Sequence, residues 1–330
     1  MSGNGPLRWG ILSTAQIIDE LLPGYAAAAD ARLDAVASRD GERAARYASE
    51  HGIGRSFGSY QELLADEEID CVYIPLPNAL HGEWTRAALE SGKHVLCEKP
   101  LTPTAAEAAS LFDLAEERGL VLMEAFMYRH HPKTKTLGEL VRGGRIGQPR
   151  VVRMRFHFRV EDPATDIRYS APLAGGALRD VGCYCVSMAG YLLGGAPDEV
   201  SATARGTASG VDETFAATMR FGDDAVAVFD CGMQTPLDVG VEVLGTEGRA
   251  VVRMPWYPHL EPLSIELETG GEVEEVPTPG GNAYQLEIEN FCAAVRGEAA
   301  TEVSREETLR NLETIERLLA VRSLEPEDQP

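Results

Sequence analysis

The fold of the first half of the chain is decided by residues 7–18, which read LRWGILSTAQII. The apolar run 7–12 predicts a short buried strand, and a helical pattern follows it directly over 15–29. Outward from this unit the alternation repeats, with strands predicted at 32–38, 69–75, 94–97 and 121–124 and helices at 40–51, 59–64, 80–91 and 104–118. Such alternation indicates βαβ units, so residues 1–125 are predicted to form an α/β domain with a doubly wound parallel sheet.

After about residue 125 the pattern changes to that of a half-buried sheet. Residues 151–160 alternate apolar and polar side chains, which indicates a strand with one buried and one solvated face. Further strands are predicted at 199–206, 213–221, 225–234, 240–245, 249–254 and 263–268, and helices at 131–141, 177–193, 285–296 and 304–322. Residues 126–330 are therefore predicted to form an α+β domain with a large, open, mostly antiparallel sheet. Its last helix could pack back on the first domain.

The composition excludes several classes of function. The 330 residues include 30 basic and 52 acidic side chains, and the formal net charge of −22 argues against nucleic acids and anionic membranes as partners. The cysteines are scattered without the spacing of a zinc site, so no metal is expected. The amino terminus shows no apolar signal segment and no run approaches about 18 apolar residues, from which we expect a cytoplasmic protein.

The turn after the first strand is a candidate phosphate site. A dinucleotide-binding fold needs small residues there, so that the backbone can approach a pyrophosphate. The sequence offers Ser13, Thr14, Ala15, Gln16 and Ile17. All three glycines of the usual GxGxxG fingerprint are replaced, so this motif alone leaves an ordinary tight turn equally open.

The end of the second strand bears on the choice of dinucleotide. NAD-binding sequences place an acidic residue there, whereas this chain has Ser38 followed by Arg39, a pair that suits a 2′-phosphate. This favours NADP over NAD. The alternative is an exposed Arg39 that caps a helix.

Lysine is rare in this chain, which makes the position of each one informative. Lys99 follows Glu98 at the end of the fourth predicted strand, and ligands of parallel sheets lie at that edge. Pro100 stiffens the turn that carries it. The other lysines are expected at the surface: Lys93, Lys133 and Lys135.

Four segments together resemble one known enzyme family. They are IPLPNALH at 74–81, EKP at 98–100, EAFMYRHHP at 124–132 and GGALRDVGCY at 175–184. Through them the chain is similar to the glucose–fructose oxidoreductase, inositol dehydrogenase and MocA family. Segment 124–132 resembles the branch that contains NADP-dependent D-xylose dehydrogenases and dimeric dihydrodiol dehydrogenases.

The resemblance implies a Rossmann domain that binds NAD(P), a second domain with an open-faced sheet, and a reactive Lys99. It also implies an Asp-x-x-x-His pair, which here reads Asp180 and Tyr184. Four residues apart on a helix, these two side chains share one face. A phenol has an ordinary pKa of about 10, which the ammonium of Lys99 can lower. Tyr184 is therefore the expected proton carrier, while Asp180 orients a sugar hydroxyl or Lys99.

Other positions matched by the resemblance are expected to line the cofactor. The expected neighbours of its ribose and nicotinamide are Leu76, Pro77, Asn78, His81, Glu98, Lys99 and Tyr284. His81 has an equally good alternative as a satisfied residue at a helix N-terminus. Arg168 is expected to contact cofactor or substrate.

Two further clusters have expectations of a structural kind. Tyr128, His130 and His131 are expected to pack at the domain junction rather than to bind metal, because no third ligand has suitable spacing. The aromatic turn WYPH at 256–259 is expected to serve packing or an interface.

The sequence therefore predicts an NADP-dependent oxidoreductase that acts on a sugar or polyol, most plausibly by oxidising an aldose at C1. The alternatives are a keto-reductase of nucleotide sugars, a trans-dihydrodiol dehydrogenase and, in another class, a non-catalytic NADP sensor. Because the outer face of an open sheet usually needs a cover, a homodimer or homotetramer through residues 150–275 is expected.

Overall fold

The computed structural model describes residues 5–258 and 260–325, and the chain divides into two compact units. The first unit comprises the chain up to His130 together with Asn282–Thr308. The second comprises His131–Gly281 and the chain from Leu309 onward. The division differs from the predicted domains 1–125 and 126–330, because 282–308 pack with the first unit.

Strands and helices alternate along residues 7–125. They are β1 (Leu7–Leu12), α1 (Ile17–Ala27), β2 (Ala31–Ala37), α2 (Gly41–His51), β3 (Arg55–Phe57), α3 (Tyr60–Leu64), β4 (Cys71–Ile74), α4 (Asn78–Glu90), β5 (His94–Glu98), α5 (Ala105–Arg118) and β6 (Leu122–Ala125). All strand pairs are parallel in the order β3-β2-β1-β4-β5-β6, which confirms the predicted doubly wound sheet. The sequence did not indicate β3, because three residues are too few to show a period.

The rest of the described chain contains the strands of a larger sheet and further helices. Its elements are α6 (Pro132–Arg142), β7 (Pro149–Arg159), α7 (Cys183–Leu193), β8 (Glu199–Gly206), β9 (Asp212–Phe221), β10 (Ala225–Gly232), β11 (Gln234–Gly245), β12 (Gly248–Arg253), β13 (Leu263–Thr269), β14 (Glu272–Thr278), α8 (Ala283–Val295), α9 (Arg305–Val321) and β15 (Ser323–Glu325). Within residues 5–258 and 260–325, no helix combines the length and apolar character that a membrane span requires.

The larger sheet is mostly antiparallel, as predicted. Its order is β14-β13-β12-β11-β7-β10-β9-β8-β15, and the pairs β10–β7 and β15–β8 are parallel. Along the central β7, Val152 and Met154 are buried, whereas Arg153 and Arg155 are exposed on the other face. The sequence missed β14, whose acidic residues are exposed on both faces, and the three-residue β15.

Helix α8 explains why residues 282–308 belong to the first unit. Its buried Ile288 and Phe291 face the core of that unit, and the Phe291 ring lies 5.1 Å from the ring of Trp9 in β1. The apolar spacing of α8 shows that it has a buried face but not which sheet it covers. Helix α9 continues across the division after Thr308.

Two of the three lysines expected at the surface are buried. Lys93 is 6% exposed, and its Nζ donates to the carbonyls of Asp66 and Ile69 at 2.6 and 2.8 Å. Lys133 is 1% exposed, and its Nζ likewise donates to two carbonyls. The surface expectation was wrong because the acceptors are backbone carbonyls distant in sequence, which leave no side-chain pattern. Only Lys135 among the three is exposed.

Candidate active site

The turn between β1 and α1 is fixed by the side chain of Ser13. Its hydroxyl donates to the carbonyl of Pro75 at 3.2 Å and accepts from the amide of Ala15 at 3.1 Å. The backbone of Ser13 has a φ of 146°, a value that favours glycine, although glycine is absent from this turn. Ser13 therefore ties the end of β1 to the end of β4 and replaces a fingerprint glycine with a hydrogen-bonded hydroxyl.

Two helices that start at this edge lack side-chain caps. Helix α1 begins after Gln16 and α4 after Pro77, and neither residue makes a cap hydrogen bond with its side chain. By contrast, Asp40 caps α2 and Thr104 caps α5 through their side-chain oxygens. Amide groups at an uncapped N-terminus are available to an anion, so α1 fits the pyrophosphate of a dinucleotide.

Two arginines lie near the end of β2. Arg39 is exposed and follows the buried Ser38, whereas the cap of α2 is the carboxylate of Asp40, so Arg39 does not cap the helix. Arg43, one turn further along α2, donates from Nη2 to the carbonyl of Thr14 at 3.1 Å. Sequence reasoning missed Arg43, although its spacing of four residues from Arg39 could have indicated it. Both guanidinium groups fit a 2′-phosphate.

The turn that carries Lys99 is held by two carboxylates, the half-buried Glu98 and the buried Glu124. The hydroxyl of Tyr73 donates to Oε1 of Glu98 at 2.5 Å, and Oε2 of Glu98 accepts from the amide of Lys99 at 3.3 Å. Beyond the cis peptide bond of Lys99 and Pro100, Oε1 of Glu124 accepts from the amide of Leu101 at 2.9 Å. Glu124 is fully buried, and burial raises its pKa to about 7. Tyr73 and Glu124 were not predicted as part of the site.

His81 fixes the same turn from its other side. It is 0% exposed, with Nδ1 2.8 Å from the carbonyl of Pro100 and Nε2 2.6 Å from the carbonyl of Leu76. Burial lowers the pKa of His81 to about 4, so the ring is neutral near pH 7. A neutral ring donates from one nitrogen only, so one of the two carbonyls receives a hydrogen bond from His81. The expected place of His81 beside the cofactor stays a prediction. Leu76 and Pro77 follow β4 at this edge, and Asn78 begins α4.

Tyr284 lies at the start of α8 in the first unit. Its amide donates to Oδ1 of Asn282 at 3.0 Å, and the residue is 7% exposed. A Cβ at Gly24 of α1 would lie 3.1 Å from the Cβ of Tyr284, so the two helices pack closely there. Its expected contact with the nicotinamide stays a prediction.

The histidine cluster is buried. The Nε2 of His130 lies 4.0 Å from Oε1 of the buried Glu287, and Nδ1 of His131 accepts from the amide of Lys133 at the start of α6. Tyr128 is 1% exposed. No group of three potential metal ligands is found among the residues that the structure describes.

The helix that carries Asp180 and Tyr184 is not a regular α-helix. Residues Leu178–Gly182 form a π-helix that continues into α7, whereas the sequence predicted one helix over 177–193. Short π-helical segments are frequent at functional sites. The carboxylate of Asp212 accepts from the amide of Leu178 at 2.7 Å and so anchors the first residue of this segment.

Asp180 is joined to Arg168. The Nε of Arg168 donates to Oδ2 of Asp180 at 2.8 Å, and Nη1 lies 3.2 Å from Oδ2 of Asp166. The Coulombic attraction of Asp180 raises the pKa of Arg168. The guanidinium also lies 5.6 Å from the ring centre of Phe158. Arg168 thus orients Asp180, and its expected contact with cofactor or substrate stays a prediction.

Aromatic rings surround the half-buried Tyr184. Its ring centre lies 5.4 Å from that of Phe156 and 5.9 Å from that of Trp256. Phe156 and Trp256 stack on each other at 5.9 Å, and Tyr257 lies 6.1 Å from Phe156. The aromatic turn expected to serve packing therefore packs against the predicted proton carrier. Its last residue, His259, lies outside the described residues.

Family models match both parts of the chain. The model described as "Oxidoreductase family, NAD-binding Rossmann fold" matches residues 7–126, and the GFO/IDH/MocA C-terminal domain matches residues 134–251. The chain belongs to the GFO/IDH/MocA oxidoreductase family. This confirms the resemblance drawn from the four sequence segments and the predicted class of cofactor.

Relatives with several activities are found within the family. D-xylose 1-dehydrogenase (NADP(+)) 2 of Haloferax volcanii is 40% identical, over 94% of this chain and 96% of the relative. Trans-1,2-dihydrobenzene-1,2-diol dehydrogenase of Sus scrofa is 32% identical, over 86% and 84%. The crystal structure of KijD10, a 3-ketoreductase from Actinomadura kijaniata with NADP and TDP-benzene, matches with a TM-score of 0.92 and 31% identity, over 98% of this chain and 99% of that one.

The family's two signature regions lie in different units of this chain. Lys99 is in the first unit, while Asp180 and Tyr184 are in the second. Within the first unit, the ends of β1, β4 and β5 bring together Ser13, Pro75 and the Lys99 turn. The predicted action of Lys99 on the pKa of Tyr184 stays a prediction.

Proposed function

We propose that the protein is an NADP-dependent oxidoreductase that oxidises an aldose at C1. The observation that carries this proposal is the fixed Lys99 turn at the carboxyl edge of the NAD-binding sheet. A turn held by Glu98, Glu124 and His81 fixes the backbone that carries Lys99, which suits a catalytic cation. The 40% identity to a D-xylose dehydrogenase favours an aldose as the substrate.

The residues at the end of β2 support NADP rather than NAD. The hydroxyl of Ser38 accepts from the amide of Asp40, and the exposed Arg39 and the nearby Arg43 offer guanidinium groups to a 2′-phosphate. An acidic residue, which would select the free ribose hydroxyl of NAD, does not occupy position 38 or 39. When bound, the nicotinamide accepts the hydride at its C4.

Tyr184 and Lys99 would handle the proton. Tyr184 takes the proton from the C1 hydroxyl as the C1 hydride leaves and the carbonyl of the lactone forms, so that charge and atoms balance. Lys99 lowers the pKa of that phenol and donates to the substrate oxygen. Asp180, oriented by Arg168, accepts from a neighbouring sugar hydroxyl. In the reverse direction, Tyr184 returns the proton to the oxygen of the carbonyl.

Keto-sugar reduction is the second candidate function. It is favoured by the likeness to KijD10 over 98% of this chain, since that enzyme is a 3-ketoreductase. The same Tyr184 and Lys99 would then protonate a ketone. A nucleotide diphosphate would also call for cations around the substrate, and several arginines of the second half are already paired with acidic side chains, such as Arg150 with Asp224 and Arg153 with Glu242. A non-catalytic NADP sensor is disfavoured, because a sensor would have no need of both Lys99 and Tyr184.

We further propose that the outer face of the nine-stranded sheet forms a homodimer or homotetramer. This face carries Val226 and Val228, which are 37% and 38% exposed, next to ion pairs such as Arg153 with Glu242. Exposed apolar side chains among paired charges suit a second copy of the same surface. Sedimentation velocity of the whole chain and of Val228→Glu tests the proposal, which predicts that the variant dissociates.

A substrate panel tests the reaction directly. Aldoses, polyols, a trans-dihydrodiol and a nucleotide keto-sugar are each assayed with both nicotinamide cofactors. The proposal predicts aldose oxidation with NADP⁺ and a much higher KM for NAD⁺. Reduction of the keto-sugar alone would support the second candidate, while turnover of none of these substrates would refute both.

A further inference from the structure

The second unit contains a buried ammonium that the proposed reaction does not use. The Nζ of Lys133 donates to the carbonyls of Met254 and Tyr257 at 2.8 and 2.7 Å, and the residue is 1% exposed. Burial lowers its pKa to about 7. A lysine is rarely placed at so buried a position unless its hydrogen bonds hold something in place.

Lys133 holds the segment 254–257, which contains the first two residues of the aromatic turn and is called the aromatic turn 254–257 below. The backbone of Met254 has a φ of 54°, a left-handed conformation that is unfavourable for a bulky side chain. Three hydrogen bonds secure the turn. Lys133 binds its first and last carbonyls, and Nε1 of Trp256 donates to the carbonyl of Arg155 at 3.0 Å. The strained backbone is thus kept in place by an amine that comes from α6.

The segment 254–257 sets the surroundings of Tyr184. Trp256 is 1% exposed and stacks on Phe156, and both rings contact the ring of Tyr184. A shift of Trp256 would leave Tyr184 without one of these two ring contacts. Each link between Lys133 and Tyr184 is therefore a direct contact within the second unit.

We propose that Lys133 is a positioning residue for the reaction, because it fixes the aromatic turn 254–257 against Tyr184 and thereby aims the phenol hydroxyl. The proposal rests on the role of Tyr184 given under the proposed function. It assigns a task in the reaction to a lysine that lies behind the aromatic rings.

Lys93 provides a matched control. It is also a buried lysine with two carbonyl acceptors, which belong to Asp66 and Ile69 in the loop between α3 and β4. Lys93 directly precedes β5, at the end of that strand opposite to the Lys99 turn. Replacing either lysine by methionine keeps most of the side-chain volume and leaves two carbonyls without their donor. The two variants should therefore have similar costs in thermal stability.

Kinetics and a titration distinguish the two lysines. Relative to wild type, Lys133→Met should lower kcat/KM for the aldose by about tenfold or more, with KM for NADP⁺ within about twofold. The titration midpoint of Tyr184, measured as the ultraviolet difference between each chain and its Tyr184→Phe counterpart, should shift. Lys93→Met should change neither value. Should Lys133→Met fail to fold, Lys133→Gln, which retains two N–H donors on a shorter side chain, should show the same changes in weaker form, and values equal to those of Lys93→Gln would overturn the inference.

The titration of Tyr184 tests the positioning role of Lys133 independently of the proposed function. If Lys133→Met and Lys93→Met show the same kcat/KM and the same Tyr184 midpoint, Lys133 is merely structural and the inference is overturned. If wild type turns over no sugar, the proposed function fails. The Tyr184 midpoint then still decides the positioning claim: an unchanged midpoint in Lys133→Met overturns it, and a shifted one upholds the contact chain.

Discussion

The turn that carries Lys99 and the helix that carries Tyr184 are held by different kinds of contact. Around Lys99 the supports are polar: the half-buried Glu98 and the buried Glu124 accept backbone amides, and both ring nitrogens of His81 face carbonyls. The hydrogen bonds of a carboxyl or an imidazole group depend on whether that group carries a proton. The Lys99 turn should therefore be sensitive to pH and to the loss of a single polar partner.

Around Tyr184 the supports are mainly aromatic. Phe156 and Trp256 pack on its ring, and the only charge in the contact chain described above is the ammonium of Lys133 behind the turn. Ring packing depends on shape and is nearly independent of pH. The contrast teaches that the Lys99 turn rests on several titratable groups, whereas Tyr184 rests on fitted rings with one titratable group, Lys133, behind them. The two supports should therefore respond to different perturbations.

The largest effect should come from removing the phenol hydroxyl while leaving the ring. Tyr184→Phe preserves the aromatic packing but removes the proton carrier, so kcat should fall by about 10²- to 10⁴-fold. Binding of NADPH, followed by its fluorescence, should stay within about twofold of wild type. Wild-type turnover in this variant would contradict the role of Tyr184 as the proton carrier. The comparison of the two supports would then have no bearing on the reaction.

The choice between NADP and NAD should not depend on the supports of Lys99 or of Tyr184. Arg43→Ala removes a guanidinium near the first turn, so KM for NADP⁺ should rise about 10- to 100-fold, as expected for one charge-assisted contact. KM for NAD⁺ and kcat should hardly change. The matched control is Arg46→Ala on the same helix, where the exposed guanidinium lies 3.9 Å from Glu42. Equal effects of the two variants would rule out a specific role for Arg43.

The polar support of the Lys99 turn should respond to pH. Since burial raises the pKa of Glu124 to about 7, its stabilising contribution is fully present below its unfolded value of about 4.5 and is lost as the pH rises through 7. Glu124→Gln keeps an acceptor for the amide of Leu101 and cannot ionise. Between pH 5 and 7.5, urea unfolding should show the variant gaining about 2 kcal/mol on wild type, with little further change at higher pH. A constant difference would mean that Glu124 does not titrate in this range.

The smallest effect should come from a conservative change in the aromatic support. Trp256→Phe loses the hydrogen bond to the carbonyl of Arg155 but keeps a ring against Tyr184, so unfolding should become easier by about 1 to 3 kcal/mol at any pH. The pH dependence should parallel that of wild type. A loss that varies with pH would show that the changed ring and the titrating Lys133 are coupled, contrary to this expectation.

The parts of the structure that repeat along the sequence could be predicted, and the parts made by long-range contacts could not. Strand β1 and the helix after it follow from local periodicity, and the resemblance identified Lys99 and Tyr184 from short motifs. The burial of Lys133 depends on carbonyls more than 100 residues away, which carry no side-chain signal.

The same limit applies to the supports of the site. In the sequence, Tyr73 is one of several residues in the apolar run of β4. Its role in the site becomes visible only through its hydrogen bond to Glu98. The grouping of α8 with the first unit likewise depends on a contact between Phe291 and Trp9 at opposite ends of the chain.

The central claim is that Lys99 sets the protonation of Tyr184, and the pH profile of one variant tests it most directly. The measurement is kcat for aldose oxidation from pH 6 to 10.5 in wild type and in Lys99→Met, at saturating NADP⁺. The account predicts that the apparent pKa of the basic group rises towards the ordinary value of a phenol, about 10, when the ammonium is removed. A profile that keeps its midpoint in Lys99→Met would contradict the account.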